Sequence, residues 1–192
     1  MGWYEIAKVV HFIGLIPLFG FFVVYARAGI QLRAATTRAE ARTWLGLLEA
    51  TRGMLLGGAG MLLLSGGAMA ALRWRGVYPF IVIGLVTLLA IWLIWVVVGA
   101  RHLRAMRAAV GDGDDALGAE PVRTILAPTR WGMMGALNGA SLAVLFVMTT
   151  KIDWPGAIIT VLLVASLAGG IFTALAHRRR GAVSRRQARV VA

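Results

Sequence analysis

Hydrophobic residues in this chain run in long unbroken blocks, not in the stripes or strict alternations of a water-soluble fold. Five blocks cover residues 5–25, 53–72, 78–99, 131–150 and 155–176. Each is close to the roughly 20 residues that a helix needs to cross a hydrocarbon layer. None carries a continuous polar face. Hydrocarbon offers no partner for a bare N–H or C=O, so each block is expected to close its backbone bonds inside a helix and not along an open sheet edge. The pattern predicts an all-α, polytopic membrane helical bundle with five transmembrane helices. Residues 1–176 form one bundle domain and residues 177–192 a basic tail.

The polar links between blocks set the topology. RWRGVYP and KIDWPG are hairpin-short, so blocks two and three, and blocks four and five, are antiparallel neighbours. The other two links are longer. One contains TWLGLLEATR, expected to lie at the interface as a turn or helix. The other begins RHLRAMRAAV, a helical continuation of block three with Arg101, Arg104 and Arg107 on one stripe. It then breaks at GDGDDALGAEP. A calcium loop beginning at Asp112 would need Gly at its sixth position and Glu at its twelfth, where this chain has Leu117 and Arg123. The expected reading is a solvated acidic turn.

Composition agrees with the pattern. Of 192 residues, 59% are hydrophobic and 15% charged, with a mean hydropathy of +0.79. A soluble domain usually holds about 25% charged residues. The net charge of +12 comes from Arg spread between the blocks, not gathered on one surface. That distribution fits lipid headgroups and excludes a nucleic-acid partner. If the N-terminus is outside, the outer segments hold four basic residues, Lys8, Arg73, Arg75 and Lys151, and the inner segments hold the other sixteen. The positive-inside rule therefore places the N-terminus outside and the C-terminus in the cytoplasm. The tail from His177 to Arg189 is expected to meet anionic lipid headgroups at the cytoplasmic face. Trp3, Tyr4, Trp74, Tyr78 and Trp154 mark the outer interface; Tyr25, Trp44 and Trp131 mark the inner one. Trp92 and Trp95 lie deep in block three, as packing or lipid-facing bulk. MGWYE lacks a basic n-region and no A-x-A-like site follows, so the first block reads as a retained span. Without cysteine there is no disulfide, thiolate metal site or Cys nucleophile.

Small residues at helical spacing predict close helix contacts. Gly53 and Gly57 form one GxxxG, Gly135 and Gly139 another, and Ser166, Gly169, Gly170 and Thr173 give a third small face. Such faces serve packing within one chain, self-association or contact with other membrane subunits. SGGA at Ser65 to Ala68 is also a place where a flat cofactor or lipid tail can lie.

The candidate chemistry centres on His11. Eight residues beyond Trp3, it lies roughly 12 Å below the interface at 1.5 Å per residue. Polar groups at that depth usually face the bundle interior. Lys8 sits one turn earlier and Glu5 is three residues before it, within reach of an ion pair. One reading gives His11 a hydrogen bond to a backbone carbonyl or to a neighbouring Ser or Thr. The other makes it a ligand. Met69 and Met148 come level with it near the outer ends of spans two and four, and imidazole with thioether suits haem iron or Cu(I). His102 and His177 lie at cytoplasmic ends, too far away to serve as a second imidazole. Paired carboxylates, nucleophile–base pairs and phosphate loops are missing, and a polar pathway has only Thr87, Asn138, Ser141 and Ser166 to draw on.

K-x-x-H-x-x-G (Lys8, His11, Gly14), LLSGGAMA in span two and MTTKIDWPG at the end of span four together resemble a bacterial family of integral membrane proteins of unknown function, distantly similar to the membrane domain of copper-resistance protein D. The resemblance implies a small helical bundle in the bacterial inner membrane whose first-span histidine binds a metal or haem b. A fifth span follows KIDWPG, where the family usually stops, and reads as an added docking helix. The leading expectation is a subunit or accessory protein of a larger inner-membrane assembly, without its own catalytic site. The second is a haem b- or copper-binding protein centred on His11, and the third a small-solute transporter.

Overall fold

The computed structural model describes residues 2–74 and 77–191, with side chains through Arg178. Arg75, and the basic side chains of the tail beyond Arg178, lie outside the described residues. The elements are helical throughout: α1 (Trp3–Ala34), α2 (Arg38–Ala50), α3 (Arg52–Arg73), α4 (Pro79–Ile94), a π segment (Trp95–Gly99), α5 (Ala100–Val110), α6 (Ala119–Ile125), α7 (Pro128–Thr150) and α8 (Trp154–Val191). Five stretches, Trp3–Ala34, Arg38–Arg73, Pro79–Val110, Ala119–Thr150 and Trp154–Arg178, are long and apolar enough to cross a membrane. By that measure the chain is a multi-pass membrane protein. Its two ends are called here the Trp3 end, where α1 begins, and the Arg-rich end.

The α1–α3 crossing is made by two glycines and a proline. Pro17 lies inside α1, where it has no N–H to donate to the carbonyl one turn back and its ring crowds that carbonyl. Gly58 of α3 fills the site beside it. A Cβ on Gly58 would stand 2.9 Å from the Leu18 amide nitrogen and 3.0 Å from the Gly14 carbonyl oxygen. Gly14 is equally confined by Met61 and Leu62. Gly53 and Gly57 do not make this contact. A Cβ at either would meet nothing within 4 Å, because both point away from the buried stripe of α3, which is Leu55, Gly58, Ala59, Leu62 and Ser65.

The α7–α8 crossing uses the second GxxxG. A Cβ on Gly135 would stand 2.6 Å from the Ala168 carbonyl oxygen, and one on Gly139 2.6 Å from that of Val164. Gly169 packs against Gly132 and Ala136 in return, whereas Gly170 faces open space and Ser166 is exposed. Lys151 ends α7 in the left-handed conformation, φ 53°, and the Asp153 carboxylate caps α8 by accepting the Gly156 amide at 3.1 Å.

At the Arg-rich end the two long links hold each other. Thr37 caps α2 in a reciprocal capping box with Glu40. Arg38 and Arg42 of α2 pair with Asp115 and Asp114 at 3.1 and 2.7 Å, and the Arg38 amide donates to the Asp115 carbonyl at 3.0 Å. Gly111 and Gly113 supply the positive φ values, 63° and 108°, that fold the loop back. The acidic turn is solvated as expected, with Asp114 and Asp115 largely exposed, and it also clasps α2. Block three does continue as a helix to Val110, through a π segment at its end. Trp95 opens it, buried between Phe21 and Tyr25 at ring-centroid distances of 5.1 and 5.0 Å, edge to face. The widened turn exposes the Val96 carbonyl, which accepts from Arg52 Nη2 at 3.4 Å.

Candidate functional site

A cavity of about 430 Å³ lies among α1, α3, α4 and α7 toward the Trp3 end. Pockets that hold drug-sized ligands span about 300–1,000 Å³. Leu18, Leu62, Leu88 and Ile91 line its depth with hydrocarbon, and Tyr4, Lys8, Trp74 and Lys151 line it near the helix ends. His11, Met69 and Met148 all line it. The three side chains that depth arguments placed on one level are thus brought to a single cavity.

His11 is held by α3. Its Nδ1 lies 3.0 Å from Ser65 Oγ. The Ser65 hydroxyl has one proton, which goes to the Met61 carbonyl of the preceding turn. Ser65 Oγ is therefore the acceptor, and Nδ1–H of His11 is the donor. A neutral imidazole with its proton on Nδ1 keeps the lone pair on Nε2. This is the arrangement in which a second residue fixes the tautomer and ring of a ligating histidine. Gly66 makes room for the ring: a Cβ there would come within 3.3 Å of Cε1. Gly84 does the same for Met148, whose methyl would be 2.0 Å from an added Cβ.

The charges at the mouth are mostly basic. Lys8 Nζ stands 3.6 Å from the Glu5 carboxylate, both half exposed. Lys151 Nζ lies 5.4 Å from the centre of the Trp74 ring, and the Arg73 guanidinium 5.1 Å from that of Tyr4. Among the described residues that line the cavity none carries a carboxylate. The arrangement can hold a molecule and offer it a nitrogen ligand.

Of the polar residues expected along a solute pathway, Ser141 lines the cavity, and its hydroxyl already donates to the Leu137 carbonyl at 2.9 Å. Thr87, Asn138 and Ser166 are not among the lining residues. His102 sits at the opposite end on α5, its Nδ1 buried without a partner, and His177 is exposed on α8. Ser65, Gly84 and Lys151 are the site residues that sequence reasoning did not assign. Ser65 was visible only as the first residue of SGGA, and Lys151 only as a counted charge within KIDWPG. No known protein family, curated protein or solved structure matches the chain.

Proposed function

We propose that this protein is a small accessory subunit of a bacterial inner-membrane assembly that holds haem b in the cavity beside His11. The observation that carries this reading is the fixed imidazole. Ser65 Oγ accepts a hydrogen bond from Nδ1–H, so Nε2 keeps a lone pair, in a residue that lines a cavity also lined by two thioethers. The donor set fits haem iron, and the apolar depth with a basic mouth fits a macrocycle that carries carboxylates on one edge. Haem held there would supply electron transfer or the binding of a small gas. The chain's own part is to bind and orient it and to keep water from one face. The relation to the copper-resistance protein D membrane domain belongs to the same proposal, through Lys8, His11 and Gly14.

The second reading is Cu(I) held by His11 with Met69 or Met148, whose soft sulfur suits that ion. The two lysines at the mouth weigh against it, since each repels an approaching cation. Absorbance of protein purified from haem-supplemented membranes separates the two. The haem reading expects a Soret band. The copper reading expects no band and one copper per chain. Protein with neither group after loading with both would remove both readings.

The same proposal places the N-terminus outside and the C-terminus in the cytoplasm, supported by the four-to-sixteen division of basic residues. Arg101 and Arg104 then face anionic headgroups, Arg107 pairs with Glu49 at 2.8 Å, and the exposed Leu162, Leu163, Leu167 and Ile171 of α8 meet lipid or a neighbouring subunit. A reporter active only in the cytoplasm should give signal when fused after Ala192 and none when inserted at Val77. Signal at Val77 would reverse the orientation.

A further inference from the structure

The cavity is apolar through its depth and charged at one end only. Among the described residues, Lys8 and Lys151 are its charged lining residues, and they come from elements far apart in sequence, α1 and the α7–α8 turn. The backbone sets Lys151 there, since its left-handed conformation ends α7 at that point. The nearby acids are partly engaged. Asp153 accepts the Gly156 amide. Glu5 pairs with Lys8 at 3.6 Å, yet an ammonium has three donors and can serve a second carboxylate beside the first. A neutral apolar ligand would need neither lysine, and a cation would be repelled by both. We propose that Lys8 and Lys151 form a carboxylate clamp that selects a ligand with an acidic edge and turns that edge toward the mouth of the cavity. The inference rests on the haem reading, in which the acidic edge is the pair of propionates, one for each lysine.

The test compares haem b with its dimethyl ester, which has the same iron and ring but no free carboxylate. Each is titrated into the wild-type chain and into a Lys8→Gln/Lys151→Gln double variant in one detergent, with the Soret band as readout. The ester partitions more strongly into detergent, so the informative quantity is the preference for haem over ester in wild type divided by that preference in the variant. Two exposed ion pairs predict a ratio of about fivefold, shrinking as salt is raised. A ratio of one with Soret bands present throughout would overturn the clamp and leave the haem reading standing. No Soret band with either ligand in wild type would remove both. If the double variant melts early, each single variant is read in its place, with about a twofold effect expected for each and a ratio of one in both again overturning the clamp.

Discussion

Replacing Gly139 by leucine lowers the stability of the detergent-solubilised protein by about 1–3 kcal/mol or more, the usual range for forcing side-chain atoms into a filled contact. Replacing Gly57 by leucine changes it by less than about 0.5 kcal/mol, as for other substitutions that touch nothing. The two glycines occupy the same kind of motif, and the contrast comes from what stands opposite them. At Gly139 a first side-chain carbon already lies 2.6 Å from the Val164 carbonyl oxygen and 2.7 Å from the Ala168 Cβ. Backbone cannot rotate out of the way as a side chain can, so α8 must move off α7. The same crossing holds Gly132 and Gly135, and a shift at one level strains all three. At Gly57 the added carbons enter open space. Thermal unfolding followed by tryptophan fluorescence or circular dichroism reads both variants. Equal transitions for Gly139→Leu and wild type would show that the α7–α8 seam is looser than its distances imply.

The difference between those glycines marks the limit of what the sequence could say. Hydropathy located the five spans because the cost of exposing backbone to lipid does not depend on detail. It could not say which way each helix turns. Residues 53–72 are apolar all round, so the face toward lipid and the face toward α1 look alike, and spacing alone cannot choose between Gly57 and its neighbour Gly58. The choice is made by α1, whose Pro17 and Gly14 fit against Gly58. In α7 the signal was richer, since Gly132 adds a third small residue to Gly135 and Gly139, and Ala168 and Gly169 match them on α8. The acidic loop is solvated, as its local sequence implies, but its contact with α2 was hidden for a related reason. Its partners Arg38 and Arg42 lie more than 70 positions away, and within the local sequence the aspartates had only water to meet. The π segment left no sequence signal either, because it depends on Trp95 finding Phe21 and Tyr25. The lining of the cavity was more legible. A helix rises a fixed distance per residue, and short hairpins bring the span ends to one plane, so the depths of His11, Met69 and Met148 followed from counting. The Ser65 bond that sets the tautomer did not, since two helices of unknown rotation decide it.

Removing the imidazole in His11→Ala is expected to abolish the Soret band of the haem-loaded protein, while Ser65→Ala keeps the band and weakens haem binding by about 10–100-fold, the usual effect of losing the group that orients a metal-ligating histidine. The two variants separate the ligand from its support. In Ser65→Ala, Nε2 is still present, but Nδ1–H of His11 loses the acceptor 3.0 Å away. The ring is then held only by the backbone of Leu62, and part of the population turns or changes tautomer and no longer presents a lone pair. A purely structural role for the pair predicts a different outcome. Both variants would then lose only about 1 kcal/mol of stability, typical of a hydrogen bond between membrane helices, and neither would alter a spectrum. Thermal unfolding of each variant without haem supplies that control, and Ser65→Thr, which keeps the hydroxyl, should restore affinity if the added methyl fits. A His11→Ala protein with an unaltered Soret band would place any haem away from this cavity. The fixed imidazole would then be a helix-to-helix tether between α1 and α3 beside the Gly14–Gly58 crossing.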